Sequence, residues 1–185
     1  MPTLGQDLGT FLIGTLFSIY IMLVMLRFLL AWVRADFYNP ISQAIVKLTN
    51  PPLILLRRVI PSIGRIDTSA IVLMLVLQIL ELWLIVMIGG LSAGVGTLAL
   101  IAIVKLVKLS LYIFIACIFI QVIISWISPG TYNPIAALTA SLTDPMMRPL
   151  RRIIPPAGVI DFTPMIMLLA LFVALRILSH YFPYA

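Results

Sequence analysis

Tyr38-Asn39-Pro40-Ile41, Leu48-Thr49 with Pro51, Leu56-Arg57-Arg58, Ile60-Pro61, Gly64 and Ile66-Asp67 run through one basic loop of the chain. The same residues return 94 positions later as Tyr132-Asn133-Pro134-Ile135, Leu142-Thr143 with Pro145, Leu150-Arg151-Arg152, Ile154-Pro155, Gly158 and Ile160-Asp161. The alignment needs no gap, and Trp32 and Trp126 extend it. A repeat of this length, kept in register, makes the chain two copies of one unit.

On either side of each loop lie apolar runs: Leu8 to Val33, Ser69 to Ile88, Thr97 to Ile127 and Thr163 to Tyr181. A hydrocarbon core of about 30 Å takes about 20 helical residues, so each run is long enough to cross it. The first and third exceed that length and must tilt or extend beyond the bilayer. Residues 1–90 form the first unit and 97–185 the second, each a helix, a basic loop and a helix. Between them residues 91–96 finish the uncharged glycine-rich stretch Gly89-Gly90-Leu91-Ser92-Ala93-Gly94-Val95-Gly96, which breaks helix and permits a tight turn. The fold class is therefore an all-α membrane protein of four transmembrane helices in two parallel tandem repeats, related by a pseudo-twofold axis along the bilayer normal.

Composition agrees. The chain is 63% hydrophobic and only 10% charged, with a mean hydropathy of +1.20. Soluble domains keep roughly a quarter of their residues charged. Eight of the twelve Lys and Arg lie in the segments 34–65 and 148–152, flanking apolar runs, which is a topology signal and no nucleic-acid stripe. By the positive-inside rule both loops face the cytoplasm of a bacterial inner membrane, and both termini and the glycine turn lie outside. Met1 to Met25 has no Lys or Arg, so no cleavable signal peptide is expected.

The loops carry pattern of their own. Asn39-Pro40 reads as an N-cap followed by proline at the first helical position, with Ile41, Ala44, Ile45 and Leu48 on one face and Ser42, Gln43 and Lys47 opposite. Asn50-Pro51 and Asp144-Pro145 repeat the start signal and should open a second piece that ends at Pro61 or Pro155, giving each repeat an amphipathic interfacial hairpin.

The paired pattern of Asn-Pro, Pro, Leu-Arg-Arg, Ile-Pro, Gly and Ile-Asp resembles the YggT family of small bacterial membrane proteins, whose relatives include the division-associated YlmG proteins and a plastid factor needed for haem attachment. Asp161-Phe162-Thr163-Pro164 is similar to the family's Asp-x-Ser-Pro ending, whereas Asp67-Thr68-Ser69-Ala70 lacks the proline. The resemblance implies a part in osmotic or envelope stress tolerance or ion homeostasis, and in relatives a part in division or complex assembly. It assigns no catalytic residue.

The side-chain inventory points the same way. His180 has no nucleophile or carboxylate near it in sequence, and Cys117 sits alone in an apolar run, so neither a catalytic triad nor a metal site is expected, and no cofactor. Asp67 and Asp161 stand just before transmembrane helices and read as helix caps. Arg57, Arg58, Arg151 and Arg152 read as contacts to anionic lipid or a partner protein, their stems on apolar surface and their guanidinium groups at headgroup level. Trp32, Trp126, Tyr38 and Tyr132 fit an interfacial aromatic belt.

Ionisable groups inside the spans are the least expected feature, since each costs about 2.5–3.5 kcal/mol at a helix centre. Arg27 can snorkel. Glu81, Lys105, Lys108 and Arg176, with the amide Gln78, fall at similar depth and form an expected charge cluster, Glu81 pairing with Lys105 or Lys108 and sharing Arg176. The expected function is non-catalytic, in envelope or osmotic stress tolerance, with the basic hairpins on lipid or partner. An ion channel or transporter and an assembly scaffold stand as alternatives, and a homo-oligomer is compatible with all three.

Overall fold

The computed structural model describes residues 3–64, 66–127, 133–153, 161–183 and 185. Its elements are α1 (Leu4–Trp32), α2 (Pro40–Arg57), α3 (Thr68–Ile88), α4 (Val95–Ile127), α5 (Pro134–Ile153) and α6 (Thr163–Tyr181). Helices α1, α3, α4 and α6 are long and apolar enough to cross a membrane, and they coincide within a few residues with the four apolar runs of the sequence. Helix α3 stops at Gly89, and Gly90 then takes φ +66°, a left-handed conformation that lets the chain reverse into α4.

The basic loops differ from expectation in one respect. Asn50-Pro51 and Asp144-Pro145 open no second helix: α2 runs unbroken through Pro51 and Pro52, and α5 through Pro145 and Pro149. A proline inside a helix removes the bond to the carbonyl four residues back. For Pro51 and Pro52 those carbonyls belong to Lys47 and Leu48, both exposed, so neither is stranded in the interior. Asn39 caps α2 as expected, accepting from the Ile41 amide at 2.9 Å. After Arg57 the chain turns back through Gly64 at φ +62°, where Ile63 and Ile66 exchange backbone bonds of 3.1 and 3.0 Å. Ser69 and Thr68 then tie the return segment to the start of α3, donating to the Ile60 and Pro61 carbonyls at 2.7 and 2.6 Å. Pro155 and Gly158 lie outside the described residues.

The inward face of α2 also differs. Ser42, Ile45, Thr49 and Leu53 are buried, while Leu48 is 57% exposed. At about 100° per residue the helix carries three faces: the buried stripe, an exposed apolar stripe of Ala44, Leu48 and Leu55 beside it, and a polar side holding Gln43 and Lys47, with Arg58 at the C-cap.

The main core gathers Ile21, Val24 and Leu30 of α1, Leu53 of α2, Met74 of α3, Cys117 of α4 and Leu138 and Leu142 of α5. A smaller cluster, Ile115, Ile118, Leu171 and Leu175, joins α4 to α6. Helix α3 packs on both α1 and α4, and α6 on α4, but α6 and α1 do not meet among the described residues. A closed pseudo-twofold would require that contact, as the mate of α3 on α4. Its absence has a side-chain reason. Gln78, Glu81 and Lys105, which join α3 to α4, have Phe172, Leu175 and Phe11 as repeat counterparts, so the α6–α1 pair has no polar clasp.

Candidate functional site

Three polar constellations stand out, two of them present in both repeats. The first lies where each interfacial helix returns to the following span. Arg57 pairs with Asp67, and its counterpart Arg151 pairs with Asp161 at 3.1 Å. Each aspartate also meets the start of the next helix: Asp67 accepts from the Ala70 amide at 3.3 Å, and Asp161 from the Thr163 amide at 2.9 Å. One carboxylate thus fixes the end of the interfacial helix and the start of the span together. Partial burial pushes the Asp161 carboxyl up, but hydrogen bonds from Thr163 and Arg151 more than reverse this and hold it below the usual carboxylate range. In the second repeat Asp144 adds a further carboxylate, 3.5 Å from Arg148 and 3.8 Å from Arg151. Arg58 and Arg152, the second arginine of each pair, are exposed and form no ion pair among the described residues. The four arginines therefore split into two that clamp and two that project.

The second constellation was not legible as a site. Arg27 does not snorkel; it is only 6% exposed and donates from NH1 to the Thr49 hydroxyl at 2.9 Å and the Val46 carbonyl at 3.3 Å. Its repeat counterpart Gln121 donates to Thr143, the counterpart of Thr49, at 2.7 Å. Both threonines pass their own hydroxyl protons back to the preceding turn, to the Ile45 and Thr139 carbonyls at 2.7 and 3.0 Å. The signal was present in the sequence, because Arg27 and Gln121 occupy one repeat position and Thr49 and Thr143 another, though the residue types at the first position differ.

The third lies within the membrane-spanning part. Glu81, 2% exposed, accepts from Lys105 at 2.8 Å and from Gln78 at 2.6 Å. Lys108 is also buried but turns to the segment after α6, donating to the Phe182 and Ala185 carbonyls at 3.2 and 2.5 Å. Ser18, Gln78, Lys105, Lys108 and Tyr112 line a cavity of about 190 Å³ there. Arg176 does not join them. Leu175 turns inward against α4, so Arg176, one residue and about 100° further round, is exposed and forms no ion pair among the described residues.

A second cavity, of about 330 Å³ and almost wholly apolar, opens between α1, α3 and α4, with Met25, Phe28, Met74, Leu106 and Phe114 on its walls and Trp32 at its loop end. Trp32, Tyr38 and Trp126 are exposed, at the ends of helices or in the loop, as an aromatic belt requires; Tyr132 lies outside the described residues. Among the described residues no group of three His, Cys, Asp or Glu stands close enough to hold a metal.

Comparison with known proteins gives the same twofold division. A CCB3/YggT family model matches residues 7–88 and again residues 100–182. An uncharacterized protein of Pseudomonas aeruginosa is 41% identical over 163 residues, covering 87% of this chain and 83% of its own. One encoded in the proC 3′ region of Vibrio alginolyticus is 41% identical over 165 residues, 88% of each chain. The uncharacterized protein YggT of Escherichia coli is 35% identical over 164 residues, 89% of this chain and 85% of its own. No solved structure matches the chain.

Proposed function

The chain belongs to the CCB3/YggT family, and on that premise we propose a non-catalytic role in envelope or osmotic homeostasis at the bacterial inner membrane, exercised by two basic interfacial helices that hold anionic lipid headgroups on the cytoplasmic side. The observation that carries this reading is the division of labour within each arginine pair. Arg57 and Arg151 are tied to Asp67 and Asp161, which fixes the helix ends, and Arg58 and Arg152 project beside them. The exposed apolar stripe of α2 gives the same helix a face for acyl chains, and the apolar cavity reaching Trp32 offers room for one.

An arginine near an anionic surface contributes about 1 kcal/mol. Replacing both Arg58 and Arg152 by Gln should thus weaken retention of anionic lipid by about 2 kcal/mol, or roughly thirtyfold. Native mass spectrometry of the protein released from mixed-lipid nanodiscs reads this directly. In purely neutral lipid the thermal midpoint should stay unchanged, since the two clamps are untouched. Equal retention by wild type and the double variant would reduce the arginine pairs to topology determinants.

A second reading, an ion or solute pathway, is favoured by the polar cavity at Glu81, Lys105 and Lys108, because intramembrane charge is expensive without a use. Ion flux into proteoliposomes that falls on Lys105→Gln would support it.

A further inference from the structure

We propose that Arg27 is the cationic pole of a buried binding site for a phosphate oxyanion, built by α1, α2 and the start of α3 in the first repeat and without equivalent in the second. The site is additional to Arg58 and Arg152 and does not depend on them.

A guanidinium group has five N–H donors. NH1 accounts for two, to Thr49 and Val46. The donors on Nε and NH2 have no partner among the described residues. They are not walled in either, because the side-chain atoms there that are both sealed and without partner are only the Ser42 and Thr163 hydroxyls. Arg27 therefore keeps the donors on one edge of its fork unpaired and not fully sealed, while its other terminal nitrogen is anchored.

Charge makes the same point. Among the described residues, the charged or titratable groups that act on Arg27 are Arg57, Asp67 and Tyr20. Asp67 is already engaged by Arg57, and no carboxylate stands within ion-pair distance of Arg27 among the described residues. Two cations share one carboxylate. The second repeat is balanced: Gln121 is neutral, and Arg148 and Arg151 face Asp144 and Asp161. A buried cation without a counter-ion is costly in a low-dielectric setting, and a bound anion removes that penalty.

The repeat also separates the two jobs Arg27 does. Gln121 anchors α4 to α5 through Thr143 with an uncharged amide. Anchoring therefore needs no charge, and the charge of Arg27 is surplus to it. Arg27 lies five residues before the end of α1, so about 7.5 Å from that end of the span. An unpaired two-donor edge of a guanidinium group matches two oxygens of a tetrahedral phosphate. A lipid phosphodiester or free phosphate would present that chemistry equally.

The test uses the full chain in nanodiscs of neutral lipid, of neutral lipid with phosphatidylglycerol, and of neutral lipid with inorganic phosphate against chloride at equal ionic strength. Thermal midpoint and lipid retained in native mass spectrometry are read for wild type, Arg27→Gln and Arg27→Lys. Arg27→Gln should fold, since it recreates the Gln121 anchor, and should lose at least tenfold in phosphate-dependent retention or protection. Arg27→Lys should keep part of it. Protection by phosphatidylglycerol alone identifies a headgroup; equal protection by inorganic phosphate identifies the free ion. Should Arg27→Gln not fold, a wild-type midpoint indifferent to both phosphatidylglycerol and phosphate overturns the proposal, and so does a response that disappears in the Arg58→Gln, Arg152→Gln double variant; a response that survives there supports it. Arg27→Gln behaving as wild type in every arm also overturns it. Failure of the Arg58 and Arg152 experiment leaves this one standing, and the reverse holds too.

Discussion

The two repeats share their hydrogen-bond plan but not their weight. Both have an asparagine at the start of the interfacial helix, a threonine on that helix receiving a bond from the preceding span, and an arginine of the Arg-Arg pair clamped to the aspartate that precedes the next span. Yet α3 buries six residues and α6 three, and Leu138 and Leu142 of α5 belong to the core built mainly by the first repeat. The shared plan is a set of polar joints at helix ends, where an unpaired group is expensive and few residues can fill the place. The rest of each repeat is apolar surface, where many residues serve. Duplication has preserved the joints and let the packing diverge: α4 buries nine residues against six in α1, its mate, while α6 buries fewer than α3.

The largest effect should come from the joint that has no mate in the second repeat. Glu81→Gln leaves Lys105 without its counter-ion between α3 and α4, and breaking a buried pair from one side costs about 3–5 kcal/mol. The double variant Glu81→Gln with Lys105→Gln should recover most of that, giving a coupling well above 1 kcal/mol in a double-mutant cycle on thermal stability. Zero coupling would mean that this pair does not hold α3 to α4, and the explanation given for the open α6–α1 side would fall with it.

Next in size is a contrast between equivalent leucines. Leu142 is 1% exposed and Leu48 is 57% exposed, although they occupy the same repeat position. Leu142→Ala should destabilise by about 2–5 kcal/mol, and Leu48→Ala by less than about 0.5 kcal/mol. Similar losses at both sites, measured in detergent, would contradict the unequal burial of α2 and α5.

What could be read from the sequence follows the same division. The four spans were legible because hydrophobic length is a one-dimensional property. From depth, the ion pair of Glu81 was legible only as a choice between Lys105 and Lys108, and the structure gives it to Lys105. Arg176 was misjudged for a reason depth cannot supply: it lies at the right level but on the wrong side of α6, one position past the inward Leu175. The continuous α2 was hidden because Asn-Pro is an ordinary helix-start signal, and local sequence does not separate a proline that opens a helix from one carried inside it. Arg27 was passed over because an arginine near a helix end usually reaches for water, and only the position of α2 reveals Thr49 in its path.

The smallest effect concerns the clamp in the second repeat and depends on pH. Asp161 titrates below the usual carboxylate range in the folded chain, whereas in the unfolded chain it returns to about 3.9. Between those values the unfolded chain holds the extra proton, so stability rises with pH through that interval. Above it the contribution is complete, and it disappears as pH falls through the lower, folded value. The side chain is 34% exposed, which screens the pair with Arg151 and keeps the contribution small. Asp161→Asn should therefore lower the thermal midpoint slightly at pH 6, and the gap from wild type should close on titration below about pH 4. Arg151→Gln should narrow the gap without abolishing it, because the Thr163 amide still favours the ionised carboxylate. A gap that stays constant from pH 6 to pH 3 would show that Asp161 acts through shape at the start of α6 and not through its charge.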